Sequence, residues 1–116
     1  MNNLSIKDNF YAMEFMDPMD LSALLPASIE KEEVALLCFP ITDVLFNSED
    51  IRARTIDLHY AVKLGNLDRY KVKIIFEDDR KLRRIETTIW ETTKKMAVLK
   101  MGIQIPIHRI WEIKFL

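Results

Sequence analysis

Few side chains in this sequence are equipped for chemistry. They are two histidines (His59 and His108), one cysteine (Cys38), and a run of lysines and arginines in the second half. The densest arrangement is GIQIPIHRIWEIKF, Gly102 to Phe115, where a proline interrupts an apolar run and His108 and Arg109 stand side by side. Such a pair at a strand junction has two uses. Facing solvent, it is a cationic contact for a nucleic acid. Turned inward, His108 satisfies nearby backbone carbonyls, while Arg109 pairs with a carboxylate such as Glu112 or Glu86, or stacks on Trp90 or Trp111.

A second group is the basic cluster Lys71, Lys73, Arg80, Lys81, Arg83, Arg84, Lys94 and Lys95. Antiparallel pairing of the two strands that carry it is expected to bring Lys71 and Lys73 beside Arg83 or Arg84 on a solvent face. With Tyr70 and Trp90 for stacking, that face has the ingredients of single-strand binding, namely charge for phosphates and flat rings for bases. Glu77, Asp78, Asp79, Glu86 and Glu91 interleave with it, and a mixed-charge strand face also serves as ordinary solvated surface. The candidate nucleic-acid contacts are therefore Lys71, Lys73, Arg83, Arg84, His108 and Arg109.

Catalysis has little to stand on. The chain has no Gly-rich phosphate loop, no His-x-x-x-His pair, no serine elbow and no patterned cysteine nucleophile, so no enzyme, cofactor or metal is expected. Cys38 is alone, which excludes an internal disulfide and a cysteine metal cluster. With no cationic neighbour in sequence to stabilise a thiolate, it is expected to be a small buried hydrophobe. His59 shares its helix with Asp57 and Tyr60, but a helix spreads the three over different faces.

The positioning elements follow from periodicity. Asn47 or Ser48 offers an N-cap oxygen, Glu49 and Asp50 suit the positive end of a helix dipole, and Gly65 with Asn66 suits a left-handed end, which predicts a helix over 48–64. Ile51, Leu58 and Val62, widened by Ile56, Tyr60 and Leu64, read as its single apolar stripe. The period then changes from 3.6 to 2. Tyr70, Val72, Ile74 and Phe76 fall on one face of a first strand. LRRIETTIWETT reads as a second strand, MAVLKM as a third, IQIP as a fourth and RIWEIKFL as a fifth, with Pro106 at an edge or junction. Before residue 48, DPMDLSALLP suits a short helix with Pro18 at its first position, Met13, Met16 and Met19 recur at helical spacing as core filler, and EEVALLCF reads as a buried strand or helical turn.

The chain has 116 residues, enough for one modest core, with 49% hydrophobic and 30% charged residues and only two glycines, a composition that favours an ordered domain over a disordered one. The net charge of −1 hides an asymmetry, with −6 on residues 1–47 and +5 on the remainder. Either the acidic arm folds over the basic body or the body meets a polyanion. Apolar runs such as VALLCF are far shorter than the roughly 20 residues of a membrane span, and no basic leader precedes an apolar run, so a cytoplasmic protein without membrane contact is expected.

A capped helix followed by a meander of five short strands, the last two joined by a tight IPIH connection, is the chain order of a small SH3-like or Sm-like barrel. VKIIFEDDRKLRRIETTIWETTKKMAVLKMGIQIPIHRIWEI resembles the strand pattern of bacterial Sm proteins of the Hfq type, in which the junction before the last strand supplies a basic residue and a histidine to RNA at the pore of a ring. That resemblance places His108 at the junction, with Ile107 where the family has lysine. The segment LGNLDRYKVKIIFEDDRKLRRIETTIWETTKKMAVLKMGIQIPIHRI also resembles a small uncharacterised family of Bacteroidetes, which implies no activity. The expected architecture is thus mostly β (α+β): an acidic, partly helical arm over 1–47, then a helix and a five-stranded antiparallel barrel over 48–116, together one compact domain. The expected function is a non-enzymatic binding or adaptor module working through a protein partner or self-association, with Sm-like binding of RNA or single-stranded nucleic acid as the alternative.

Overall fold

The computed structural model describes residues 25–116. The helix expected in DPMDLSALLP and the stripe of Met13, Met16 and Met19 lie outside the described residues. The described chain is α+β, with two helices and seven strands in two sheets.

The long helix α2, Ser48–Asp68, begins where its sequence directs: Asn47 is the N-cap, and its side chain accepts the Glu49 amide at 2.7 Å. It does not stop at Leu64. The helix runs through Gly65 and Asn66, and Arg69 takes the left-handed cap at φ 54° with its N–H bonded to the Gly65 carbonyl. Gly65 is there for close approach rather than termination, because a Cβ on it would lie 2.6 Å from the Ile89 carbonyl oxygen. The expected single apolar stripe is also two. Arg54, Leu58, Ala61 and Gly65 form the buried face. Ile56, Tyr60 and Leu67 lie roughly opposite, 59%, 53% and 75% exposed.

Strand β2, Val72–Glu77, buries Val72, Ile74 and Phe76 as expected, but Ile75 on the other face is buried too, at 2% exposed, so the strand is covered on both faces at its centre. The expected second strand is broken in two at Thr88, into β3, Leu82–Thr87, and β4, Ile89–Thr92. Thr87, Thr88 and Ile89 are buried in succession, so the in-out alternation is lost at this point and the strand turns from one sheet into the other. β5, Met96–Leu99, and β6, Gln104–Pro106, continue the second sheet, and a 3₁₀ turn over Ile107–Arg109 leads into β7, Ile110–Phe115. β2 is flanked antiparallel by β3 and β7, and β5 by β4 and β6. Pro106 ends an edge strand, where its missing N–H costs no ladder bond. α2 packs on β4 and β7, and the core between them holds Leu58, Ala61, Ile74, Phe76, Ile89, Leu99, Ile105 and Ile110.

The segment before α2 departs most from expectation. β1, Ala27–Ser28, pairs parallel with β3, and α1, Lys31–Val34, is a single turn closed by a reciprocal Glu30/Glu33 capping box. The apolar run after it is not a buried element. Val34 is buried, and Leu37 and Phe39 pack against the core, but Leu36 is 81% exposed and Cys38 is exposed. Past the turn that closes α1, exposure alternates, with Leu36 and Cys38 outward and Leu37 and Phe39 inward.

Candidate functional site

Residues 38–45 form a strap over one corner of the sheet, and its attachments decide where His108 and Arg109 go. The Asp79 amide donates to the Cys38 carbonyl at 2.9 Å, and the Val44 amide donates to the His108 carbonyl at 2.9 Å. His108 Nε2 lies 2.9 Å from the Pro40 carbonyl oxygen; that oxygen only accepts, so the imidazole carries its proton on Nε2. Arg109, 6% exposed, donates from Nε to the Glu77 carbonyl at 3.1 Å and from Nη1 to the Thr42 carbonyl at 2.8 Å. Its nearest carboxylate is Glu77 at 4.0 Å rather than Glu112 or Glu86. Trp111 does not stack on it; its indole N–H donates to Glu77 Oε1 at 2.8 Å.

Two more buried charges brace the same corner, neither foreseen. Arg54 takes Asp43 of the strap in a two-pronged pair at 2.9 and 2.8 Å and donates to the Ile110 carbonyl at 2.9 Å. Burial opposes ionisation of Asp43, but the bonds from Arg54 and the Leu45 amide, with the guanidinium charge and His108, outweigh it and hold the carboxyl below its ordinary pKa. Asp78, 2% exposed, accepts the amides of Arg80 and Lys81, both at 2.8 Å, and the Arg83 guanidinium at 3.0 and 3.1 Å. Burial again pushes its pKa up, and the Lys81 and Arg80 amides with Arg83 bring it below its ordinary value. The signal for Arg54 was present: it lies four, seven and eleven residues before Leu58, Ala61 and Gly65, in line with the buried face.

The basic residues do not assemble into one face. Arg83 stands opposite Phe76 and Arg84 opposite Ile75, so consecutive arginines project to opposite sides of the sheet. Lys73 shares a side with Arg84, and also with Lys114, which stands opposite Lys73 on β7. Carboxylates divide that side: Glu86 is 4.0 Å from Lys73 and Glu112 is 3.9 Å from Lys114. Burial raises the Glu112 pKa, with Lys114 opposing it. Lys71 is exposed ahead of β2, and Tyr70 donates its hydroxyl proton to the Leu116 carbonyl. The six candidate contacts therefore separate into a strap pair, a turn-bracing arginine, and Lys71, Lys73 and Arg84 outside the strap corner.

Two clefts and one apolar patch also mark the surface of the described residues. A cleft of about 300 Å³ between β1 and β3 is lined by Ser28, Lys31 and Arg84 together with Glu30 and Glu86. Another of about 210 Å³ lies between α2 and the β4–β5 turn. The apolar patch is the outer face of α2, where the Tyr60 and Phe115 rings meet at 5.3 Å. Among the described residues no group of three metal-ligating side chains occurs, and no helix is long and apolar enough to cross a membrane. No family model, curated protein or solved structure matches this chain.

Proposed function

We propose that this chain is a non-enzymatic cytoplasmic binding or adaptor module on an SH3-like, Sm-like barrel, acting through protein contact or self-association. The barrel reading is supported by the strand order: β7, β2 and β3 continue through the Thr88 bend into β4, β5 and β6, and the 3₁₀ turn joins β6 back to β7. The exposed free thiol of Cys38 suits a reducing compartment. The observation that carries the functional reading is the outer face of α2. Ile56, Tyr60 and Leu67 are exposed on it, Phe115 joins Tyr60, and the core is already complete without them. Exposed large apolar side chains gathered on one helix face, one of them meeting a ring from β7, are the feature that supports a contact site there.

The test is sedimentation of the chain beside the double variant Ile56→Asp, Tyr60→Lys. Concentration-dependent association that the variant loses, with thermal stability held within about 0.5 kcal/mol as for exposed positions, is the expected result. A chain that stays monomeric and binds no protein through this face sinks the reading.

The alternative, binding of RNA or single-stranded nucleic acid, draws on Lys73, Arg84 and Lys114 sharing one side of the sheet. It requires affinity that falls with salt at a slope of about −0.7 per phosphate neutralised on a single strand.

A further inference from the structure

The cleft between α2 and the β4–β5 turn has a chemistry unlike that of the β1–β3 cleft. Its polar lining is Thr55 and His59 from α2 and Thr92, Thr93 and Lys94 from the turn, over a floor of Leu58 and Ile107. No carboxylate lines it, in a chain where acids interleave with nearly every other basic group. Neither His59 nor Lys94 has an acidic partner among the described residues. The β1–β3 cleft is the contrast, since Glu30 and Glu86 stand there against Lys31 and Arg84.

The hydroxyls add direction. Thr93 Oγ1 accepts the amides of Lys95 at 3.3 Å and Met96 at 3.0 Å, so its lone pairs are engaged and its proton is what remains to offer. Thr55 Oγ1 donates to the Ile51 carbonyl at 3.1 Å, which fixes it on the rim with its acceptor side free. The apolar floor keeps water from one side of the cleft and strengthens any charge interaction above it. Drug-sized ligands occupy pockets of about 300–1,000 Å³, and a cleft of about 210 Å³ fits a small anionic group instead.

We infer that this cleft, lined together by Lys94, His59 and Thr93, is a binding site for a phosphoryl-sized anion, either free phosphate or the phosphate of a small monoester. Lys94 supplies the charge, His59 an N–H, and Thr93 the donated hydroxyl. The site is separate from the outer face of α2 and stands or falls without it.

The experiment is an amide NMR titration of the full chain with inorganic phosphate and with methyl phosphate, each against sodium chloride at matched ionic strength. Saturable shifts centred on Thr55, His59, Thr93 and Lys94 are expected, and the His59→Gln, Lys94→Gln variant, with both changes at exposed positions, loses about tenfold or more in affinity. Tighter binding of methyl phosphate identifies a phosphorylated small molecule as the ligand class, and tighter binding of inorganic phosphate identifies the free anion. Shifts that follow ionic strength alike for chloride and phosphate, or that survive unchanged in a folded double variant, overturn the site.

Discussion

Replacing Arg109 by methionine separates a structural guanidinium from a ligand-binding one. Methionine keeps most of the length and packing and removes the charge and the donors. The side chain is 6% exposed and makes two short bonds, at 3.1 Å to the Glu77 carbonyl and 2.8 Å to the Thr42 carbonyl; the same Nη1 also reaches the hydroxyl of the exposed Thr42 at 3.2 Å, which water can replace, and the contact to the Asp78 carbonyl at 3.5 Å is too long to count. Charge-assisted bonds contribute about 1.5–3 kcal/mol each, so the pair sets an upper range of about 3–6 kcal/mol. Thr42 itself is exposed, so water recovers part of its carbonyl's loss, and the expected destabilisation is about 2–4 kcal/mol. At about 4 °C per kcal/mol for a chain of this size, the melting temperature falls by about 8–16 °C. Urea denaturation read by tryptophan fluorescence is the assay, since the Trp111 indole is bonded to Glu77, whose carbonyl Arg109 also holds. The midpoint should drop with the slope unchanged. A loss below about 0.5 kcal/mol, the range of ordinary surface positions, would show that the strap does not depend on Arg109 and return this residue to the nucleic-acid reading.

Other outcomes follow from the same geometry. Asp78 and Asp43 titrate below their ordinary values in the folded chain, so their stabilisation is present above the unfolded carboxylate pKa and is lost as pH falls through the folded one. The stability gap between the native chain and Asp78→Asn should therefore narrow on acidification below about pH 4, as measured by thermal melts across pH. Glu112 is shifted the other way by burial, so Glu112→Gln should be neutral or stabilising at pH 7, with any gain vanishing once the native carboxyl is protonated. Gly65→Ala places a methyl group 2.6 Å from the Ile89 carbonyl oxygen, and this outweighs the gain of about 1 kcal/mol in helix propensity. A net loss of about 1–3 kcal/mol is expected by denaturation. Cys38 should react fully with a thiol reagent under native conditions, since it is exposed.

What the sequence made legible was whatever repeats or caps. The Asn47–Ser48–Glu49 start of α2 and the inward face of β2 at Val72, Ile74 and Phe76 have local causes and stand in the structure as read, whereas the burial of Ile75 on the other face does not follow from the period. The end of α2 was misread because Gly65 carries two signals in one letter, and close packing on Ile89 determines its use here. The break at Thr88 was hidden because a β-branched run continues across it unbroken. The strap has no period, so nothing local announced that Pro40, Thr42 and Asp43 would receive His108, Arg109 and Arg54. Of the candidate site residues, the type of contact open to His108 was visible, but its partner, 68 residues away, was not.

That separation in sequence also orders events in time. The strap closes loops of 67 and 68 residues through contacts at Thr42 and Pro40, whereas the β2–β3 hairpin closes over a few residues. Closing a long loop costs chain entropy before any bond returns it. Apart from the short Asp43–Arg54 link, eleven residues apart, the strap is therefore expected to dock after the sheet has formed and to detach before the sheet melts, as a local unfolding unit. Hydrogen exchange should show this as a hierarchy, with the Val44 amide exchanging well before that of Ile74. Detachment would free His108 and the Nη1 of Arg109 while the Glu77 carbonyl still holds its Nε, so a ligand that binds that corner would do so by trapping an excited state of the chain.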